Sequence, residues 1–283
     1  VRGAGFGGEI TGAIFMIRRP VVAGQFYPQI EASLRKMLSG LIEPVSEKQN
    51  AIGVIMPHAG YVYSGCVAGL TISKVDLKKT AIILGTNHTS SGEKFSIMTS
   101  GSWATPLGEA KIDSEIAGSI LKEGSLLKED ALAHLQEHSI EVEIPFLQYL
   151  QEDIKIVPIS VSPEAKLSEC RALGLDIANG FQKVGRAGIF IASTDMTHYE
   201  SEESAKEKDA LAIDAILDLD EEKLFKVVKE KALSMCGLPA TCALISVCKN
   251  LGAKKAALVK YQTSGDTSGD YSSVVGYAGM IIW

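Results

Sequence analysis

Four short runs of β-forming apolar residues constrain this chain most: "IGVIM" around Gly53, "TAIILG" (Thr80–Gly85), "IKIVPISV" (Ile154–Val161) and "AGIFIAS" (Ala187–Ser193). None alternates strictly between apolar and polar residues, as a strand with one wet face does. Unbroken apolar character belongs to strands covered on both faces, and such strands occur in mostly parallel sheets. The stretches between and after them carry helical signals. "SEIAGSILKEG" runs from Ser114 to a glycine stop, and "SIEVEIPFLQYLQ" has apolar residues at helical spacing, with Pro145 expected to bend it or to mark its first turns. "SPEAKLSECRALGLDIANGF" offers Ser162 as N-cap and Pro163 as first helical residue. "SAKEKDALAIDAILDLD", "DEEKLFKVVKE" and "LPATCALISVCKNLG" follow the fourth strand, and "AALVKYQT" and "SSVVGYAGMIIW" close the chain as strands. The "TPLG" turn inside "FSIMTSGSWATPLGEAKID" predicts a hairpin, so the sheet is expected to be mixed. The resulting expectation is an α/β fold: a three-layer α/β/α sandwich around a mostly parallel, mixed central sheet.

Residues 16–283 contain no Pro-, Ser- or charge-rich linker and no long-period repeat, so one domain is expected there. The Gly-rich start "VRGAGFGGEITGAIF", residues 1–15, is expected to be a leader outside that domain. A net charge of -6 gives no support to a nucleic-acid or anionic-membrane partner, both of which reward a basic face. The five cysteines are odd in number and include no C-x-x-C pair, which points to free thiols in a cytoplasmic setting. Walker A and G-x-S-x-G motifs are missing, and no G-x-G-x-x-G follows any of the apolar runs, so neither nucleotide binding nor an α/β-hydrolase nucleophile has a basis here.

The five histidines are informative by position. His58 follows "IGVIMP", His88 follows "AIILGTN", and His198 follows "IFIASTDMT", with Asp195 three residues before it. In open α/β sheets the ligand crevice lies beyond the carboxyl ends of the strands, where side chains leaving neighbouring tips can meet. Cys236, just before the helical pattern opened by Pro239, is the candidate third ligand. Its place near a helix N-terminus predicts a shift toward thiolate. Cys242 and Cys248 read as core residues of that helix. Two imidazoles and a thiolate suit Fe, Cu or Zn, whereas Mg and Ca want oxygen. In "QEHSIEVEIPFL", Glu137, Glu141 and Glu143 read mostly as charges of a solvated helix start, with His138 and Glu141 as candidates for support behind the ligands. "YQTSGDTSGDYSSVVGY" reads as a tight hairpin, with a ligand-facing loop using Asp266 or Asp270 as the alternative.

The blocks "VVAGQFYP", "MPHAGYVYSG", "GTNHTSSG", "SWATPLGEAKID", "EHSIEVEIPFL", "STDMTHYE", "MCGLPA" and "TSGDTSGDYSSVVGYAGM" resemble those of the Memo family, in its order, from about Arg19 to Trp283. That family is similar in fold to the class III extradiol ring-cleaving dioxygenases, the group containing the protocatechuate 4,5-dioxygenase catalytic subunit. Those enzymes bind non-haem Fe(II) through two histidines and a carboxylate. The resemblance implies that His58 and His88 are the two histidines, that Cys236 stands where the carboxylate would be, and that Asp195 and His198 line the same cleft. Thiolate in place of carboxylate puts catechol cleavage in doubt. The functional expectation is a metal site on His58, His88 and Cys236 that holds Fe(II) or Cu, or alternatively Zn. His198, oriented by Asp195, would be its acid/base, acting on an unknown small molecule or peptide in the cleft. The alternatives are a zinc-type hydrolase and a non-catalytic module that binds a peptide or protein partner on the enzyme fold.

Overall fold

In the computed structural model, which describes residues 16–283, the four apolar runs become four neighbouring parallel strands. The expected leader, residues 1–15, lies outside the described residues. The strands are β1 (Ile17–Arg18), β2 (Gly53–Met56), β3 (Thr80–Thr86), β4 (Phe95–Ile97), β5 (Ser102–Thr105), β6 (Gly108–Ile112), β7 (Lys128–Glu129), β8 (Lys155–Val161), β9 (Ile189–Ser193), β10 (His198–Glu200), β11 (Ala256–Thr263) and β12 (Val274–Ile282). The helices are α1 (Glu31–Leu41), α2 (Tyr61–Ser73), α3 (Ser114–Leu121), α4 (Leu132–Leu135), α5 (Ile144–Leu150), α6 (Leu167–Val184), α7 (Glu202–Leu217), α8 (Glu221–Glu230), α9 (Leu238–Asn250) and α10 (Gly265–Ser268).

The sheet runs β1-β5-β6-β8-β3-β9-β2-β12-β10, with β11 paired to β12 and β4 to β8. Its middle, β8-β3-β9-β2, is parallel throughout, with registers such as Ile83 opposite Pro158 and Ile191, and Val54 opposite Ile191. Antiparallel pairing enters at the margins: β5 with β6 through the expected "TPLG" turn, and β12 with β2 and β11. The sandwich expected from the apolar runs is therefore present, and every residue of β2, β3 and β9 is buried.

Helices cover both faces. On one, α9 lies across β2, β3 and β9, with α6 and α8 against it and α3 beyond; on the other, α2 lies on β2, β11 and β12, backed by α1 and α5. The approach of α9 depends on Gly53, where an added Cβ would run into Cys248 Sγ. Cys242 and Cys248 are accordingly core residues, both fully buried. Among the described residues no helix is long and apolar enough to cross a membrane.

Three local expectations are corrected. α6 starts at Leu167, not at Pro163. Ser162 and Pro163 belong to a separate turn closed by the Ala165 N–H on the Ser162 carbonyl, and the helix is capped by the Glu169 carboxylate, which accepts the Lys166 N–H at 2.7 Å. The β11–β12 pair is antiparallel but not tight, because α10 occupies its connection. There Asp266 accepts the Thr263 N–H and Asp270 accepts the Ser272 N–H and hydroxyl, so both carboxylates serve the turn. Finally, Glu137, Glu141 and Glu143 do not begin a solvated helix; all three are at most 1% exposed. Glu141 pairs with Arg18 and also accepts the Tyr27 hydroxyl and the N–H groups of Val21 and Val22. The cation that answers it comes from the far end of the chain, and Arg18 is itself stacked on Trp103 at 4.4 Å.

Candidate metal centre

Because β3, β9 and β2 are adjacent and parallel, their carboxyl ends open on one rim. His58 leaves the tip of β2 and His88 the tip of β3, one on each side of β9. The residues that end β9 hold the His58 segment. The Asp195 carboxylate accepts the His58 backbone N–H at 2.9 Å, and Ser193 Oγ lies 2.8 Å from His58 Nδ1. With Nδ1 engaged, Nε2 is the ring atom that faces the rim, and it lies 3.4 Å from Cys236 Sγ.

Cys236 sits in the loop between α8 and α9. The Asp195 N–H points at its sulfur at 3.2 Å, Thr86 Oγ1 donates to its carbonyl at 3.0 Å, and the Gly237 N–H donates to Thr194 Oγ1 at 2.9 Å. A Cβ at Gly237 would collide with Thr194, so only glycine lets this loop lie against the β9 tip. The expected shift of Cys236 toward thiolate is overturned. Burial of the thiol and the charge of Asp195 push it up to about 12, and the Asp195 N–H and the Thr194 hydroxyl do not offset them.

His88 is held by Glu137. One carboxylate oxygen accepts the His88 backbone N–H at 2.6 Å, and the other meets Nδ1 at 2.9 Å while accepting the N–H groups of His138 and Ser139, both at 2.9 Å. Burial alone would raise this acid, but the His88 hydrogen bond and charge, with the backbone donors, bring it down to about 2. Nδ1 again is taken, which leaves Nε2 of His88 for the rim. The carboxylate–imidazole pair is the arrangement that orients metal-binding histidines in general.

The metal-ligating atoms of His58, His88 and Cys236 all lie within 4.8 Å of one another. An ion with tetrahedral bonds of about 2.0–2.3 Å separates its ligands by about 3.5 Å, and the 3.4 Å between His58 Nε2 and Cys236 Sγ matches that spacing. His58 is buried, Cys236 partly so, and His88 is exposed, which makes the His88 side the open one. Burial and the neighbouring imidazoles hold His58 well below the usual histidine range, so it presents a neutral ring. His138 packs on His88 with ring centroids 4.8 Å apart and edge-on to His58 at 5.4 Å. A second group of possible donors, His88, Glu137 and His138, shares His88 with the first and is used as its brace.

Asp195 and His198 are both beside this centre, but not as a pair. The His198 Nδ1 partner is the Met196 carbonyl at 2.8 Å, not Asp195, whose carboxylate is turned to the backbone of His58. The His198 backbone N–H donates to Ser234 Oγ at 2.7 Å, which ties it to the loop that carries Cys236. Burial raises Asp195 to about 6, against the pull of His198 and of the His58 N–H. Two contributors stood outside the expected set: Ser193, which ends an apolar strand, and Glu137, whose only signal was an acid directly before His138.

The sequence profile of Memo-like proteins matches residues 18–281. MEMO1 family protein MK0963 of Methanopyrus kandleri is 41% identical over 280 residues, covering 94% of this chain and 99% of its own. A MEMO1 family protein of Desulfurococcus amylolyticus is 43% identical over 278 residues, covering 93% and 98%. Among solved structures, the uncharacterized protein JW3007 of Escherichia coli K12 aligns with a TM-score of 0.47 at 12% identity, covering 81% of this chain and 98% of that one.

Proposed function

The chain belongs to the Memo-like protein family, and from its own rim geometry we propose that it holds one redox-active metal ion, Fe(II) or Cu, on His58, His88 and Cys236 and acts on a small molecule that enters from the His88 side. The observation that carries this reading is the convergence of three ligand atoms within 4.8 Å, from residues up to 178 positions apart: two from the tips of β2 and β3, which flank β9, and one from the loop between α8 and α9. The donor set favours Fe, Cu or Zn over Mg or Ca. When bound, such an ion would supply Lewis acidity and electron transfer to a substrate at its open side.

The protein's own groups divide the remaining work. His58 offers a neutral ring, so no proton need leave it. Cys236 must give up its thiol proton to become a ligand. Glu137 keeps the His88 ring in place and supplies a negative charge behind it. His198 donates from Nδ1 to the Met196 carbonyl, which leaves the Nε2 lone pair free to take a proton from a substrate.

Anaerobic titration with Fe(II), Cu and Zn, followed by absorption spectroscopy, tests this on wild type and Cys236→Ser. One ion bound per chain, with thiolate-dependent absorption lost in Cys236→Ser, is expected. No binding of any of the three, or equal binding in both proteins, would refute the site. Tight Zn retention with a hydrolytic activity abolished in His198→Ala would replace the redox reading with a hydrolytic one.

A further inference from the structure

Ser193 ends β9 directly behind His58, and its hydroxyl has three polar neighbours but one proton. Oγ lies 2.8 Å from His58 Nδ1, 2.7 Å from the Ser139 carbonyl and 2.7 Å from Glu143 Oε1. The carbonyl can only accept. The His58 contact keeps a hydrogen without drawing on the hydroxyl only if Nδ1 carries it, which leaves Nε2 as the lone-pair nitrogen beside Cys236. With Glu143 ionised, two acceptors compete for the single hydroxyl proton, and one 2.7 Å oxygen–oxygen contact is left with no hydrogen in it. With Glu143 protonated, every contact is satisfied: His58 and Glu143 donate to Ser193, and Ser193 donates to Ser139.

The surroundings of Glu143 agree with this count. The residue is fully buried, and among the described residues its Oε2 has no hydrogen-bond partner and the ionisable groups that act on it or feel it are Asp195 and Tyr61, neither of them a cation. An unpaired carboxylate in such a place would carry a large desolvation cost. Burial first, and then the Asp195 charge, hold this acid well above the usual carboxylate range, although the Ser193 contact pulls the other way.

We propose that Glu143 is a neutral carboxylic acid whose proton, donated to Ser193, fixes His58 as the Nδ1–H tautomer and aims its Nε2 at Cys236. It is a positioning residue, since it touches His58 only through Ser193. The consequence for metal binding rests on the ligand set proposed above; the protonation and the tautomer do not.

The test uses the full metal-free chain first. Infrared difference spectra of wild type against Glu143→Gln at neutral pH should show one protonated-carboxyl band that the variant lacks. Nitrogen-15 spectra should show the Nδ1–H form of His58 in wild type and in Glu143→Gln, whose amide can still donate to Ser193, and a loss of that preference in Glu143→Leu. Titration with Fe(II) should then place Glu143→Gln within about threefold of wild type and Glu143→Leu about 10–100-fold weaker, the usual cost of losing support behind a metal-binding histidine. A missing carboxyl band, or an Nε2–H form of His58 in wild type, would overturn the proposal. Equal tautomer and affinity in Glu143→Leu would overturn it as well. If Glu143→Leu does not fold, the wild-type and Glu143→Gln spectra decide alone. If wild type binds no Fe(II), the ligand set fails while the spectra still judge Glu143.

Discussion

Replacing Glu137 with Gln should cost stability in a pH-dependent way, because the carboxylate is charged in the folded chain down to about pH 2. Its side chain is 1% exposed and accepts four hydrogen bonds, from His88 Nδ1 and the N–H groups of His88, His138 and Ser139. An acid whose folded value is depressed contributes stability above its unfolded value and loses it as pH falls through the folded one. The drop from the ordinary 4.5 to about 2 corresponds to roughly 3 kcal/mol at pH 7, from about 1.4 kcal/mol per unit. The same single-site linkage leaves about 1.5 kcal/mol at pH 3. Urea denaturation of wild type and Glu137→Gln between pH 7 and pH 3 should therefore show a gap that narrows by about half toward acid. The amide also turns an N–H₂ group toward donors, which adds a part that does not change with pH. A gap that stays constant over the whole range would refute the claim that the charge, rather than the shape, of Glu137 holds the His88 segment.

Because Cys236 keeps its proton up to about pH 12 without an ion, binding must displace it, and wild-type affinity for Zn or Fe(II) should rise about tenfold per pH unit between pH 7 and pH 9; competition titrations should find that part of the slope missing in Cys236→Ser. Arg18→Met leaves Glu141 buried without its cation and should destabilise the chain by about 3–5 kcal/mol, read by urea denaturation at neutral pH; a loss below about 1 kcal/mol would mean that the Tyr27 hydroxyl and the Val21 and Val22 N–H groups suffice. Gly53→Ala pushes a methyl into Cys248 on α9 and should cost about 1–3 kcal/mol, with part of it recovered when Cys248→Ala is added; thermal unfolding of the single and double variants checks this.

The parts of the architecture that could be read from the sequence are those set by local pattern. Ile82, Ile83 and Leu84, or Ile189, Phe190 and Ile191, read as strand residues wet on neither face because their runs are short and rich in β-branched residues, and the parallel middle of the sheet follows from four such runs separated by helices. His58 and His88 were visible for the same reason, since each directly follows one of those runs. What could not be read depended on partners remote in sequence. Glu141 looked like support behind the ligands, but its carboxylate serves Arg18, 123 positions away, which carries no mark in the sequence that it will be buried beside it. Asp195 looked like the partner of His198 because three positions separate them, but the chain turns its carboxylate to the backbone of His58, 137 positions away. Cys236 was placed correctly near a helix start, yet its acidity was misjudged, because proximity to N–H groups is a local signal and burial is a tertiary one.

The two histidines are braced differently, and that difference bears on which ion fits. His88 has an anion behind its Nδ1, Glu137, while His58 has a hydroxyl, Ser193, backed by an acid that the hydrogen-bond count requires to be neutral. With an ion present, Cys236 as thiolate and Glu137 as carboxylate supply two negative charges next to the ligands. A divalent cation balances them, whereas a monovalent one leaves a buried excess of one, which is costly where solvent is excluded. Asp195, ionised above about 6, adds a third negative charge, which the backbone N–H groups of His58 and Ala59 answer in part. An ionised Glu143 would have pushed the balance further negative, with no cation among the described residues acting on it. Charge balance thus agrees with the proton count at Ser193, and it ranks Fe(II), Zn(II) and Cu(II) ahead of Cu(I). The titrations can check that order directly: Cu(I) that binds Glu137→Gln better than wild type, with Fe(II) showing the reverse, is the expected pattern. Equal effects on both ions would mean that Glu137 acts only through the orientation of His88.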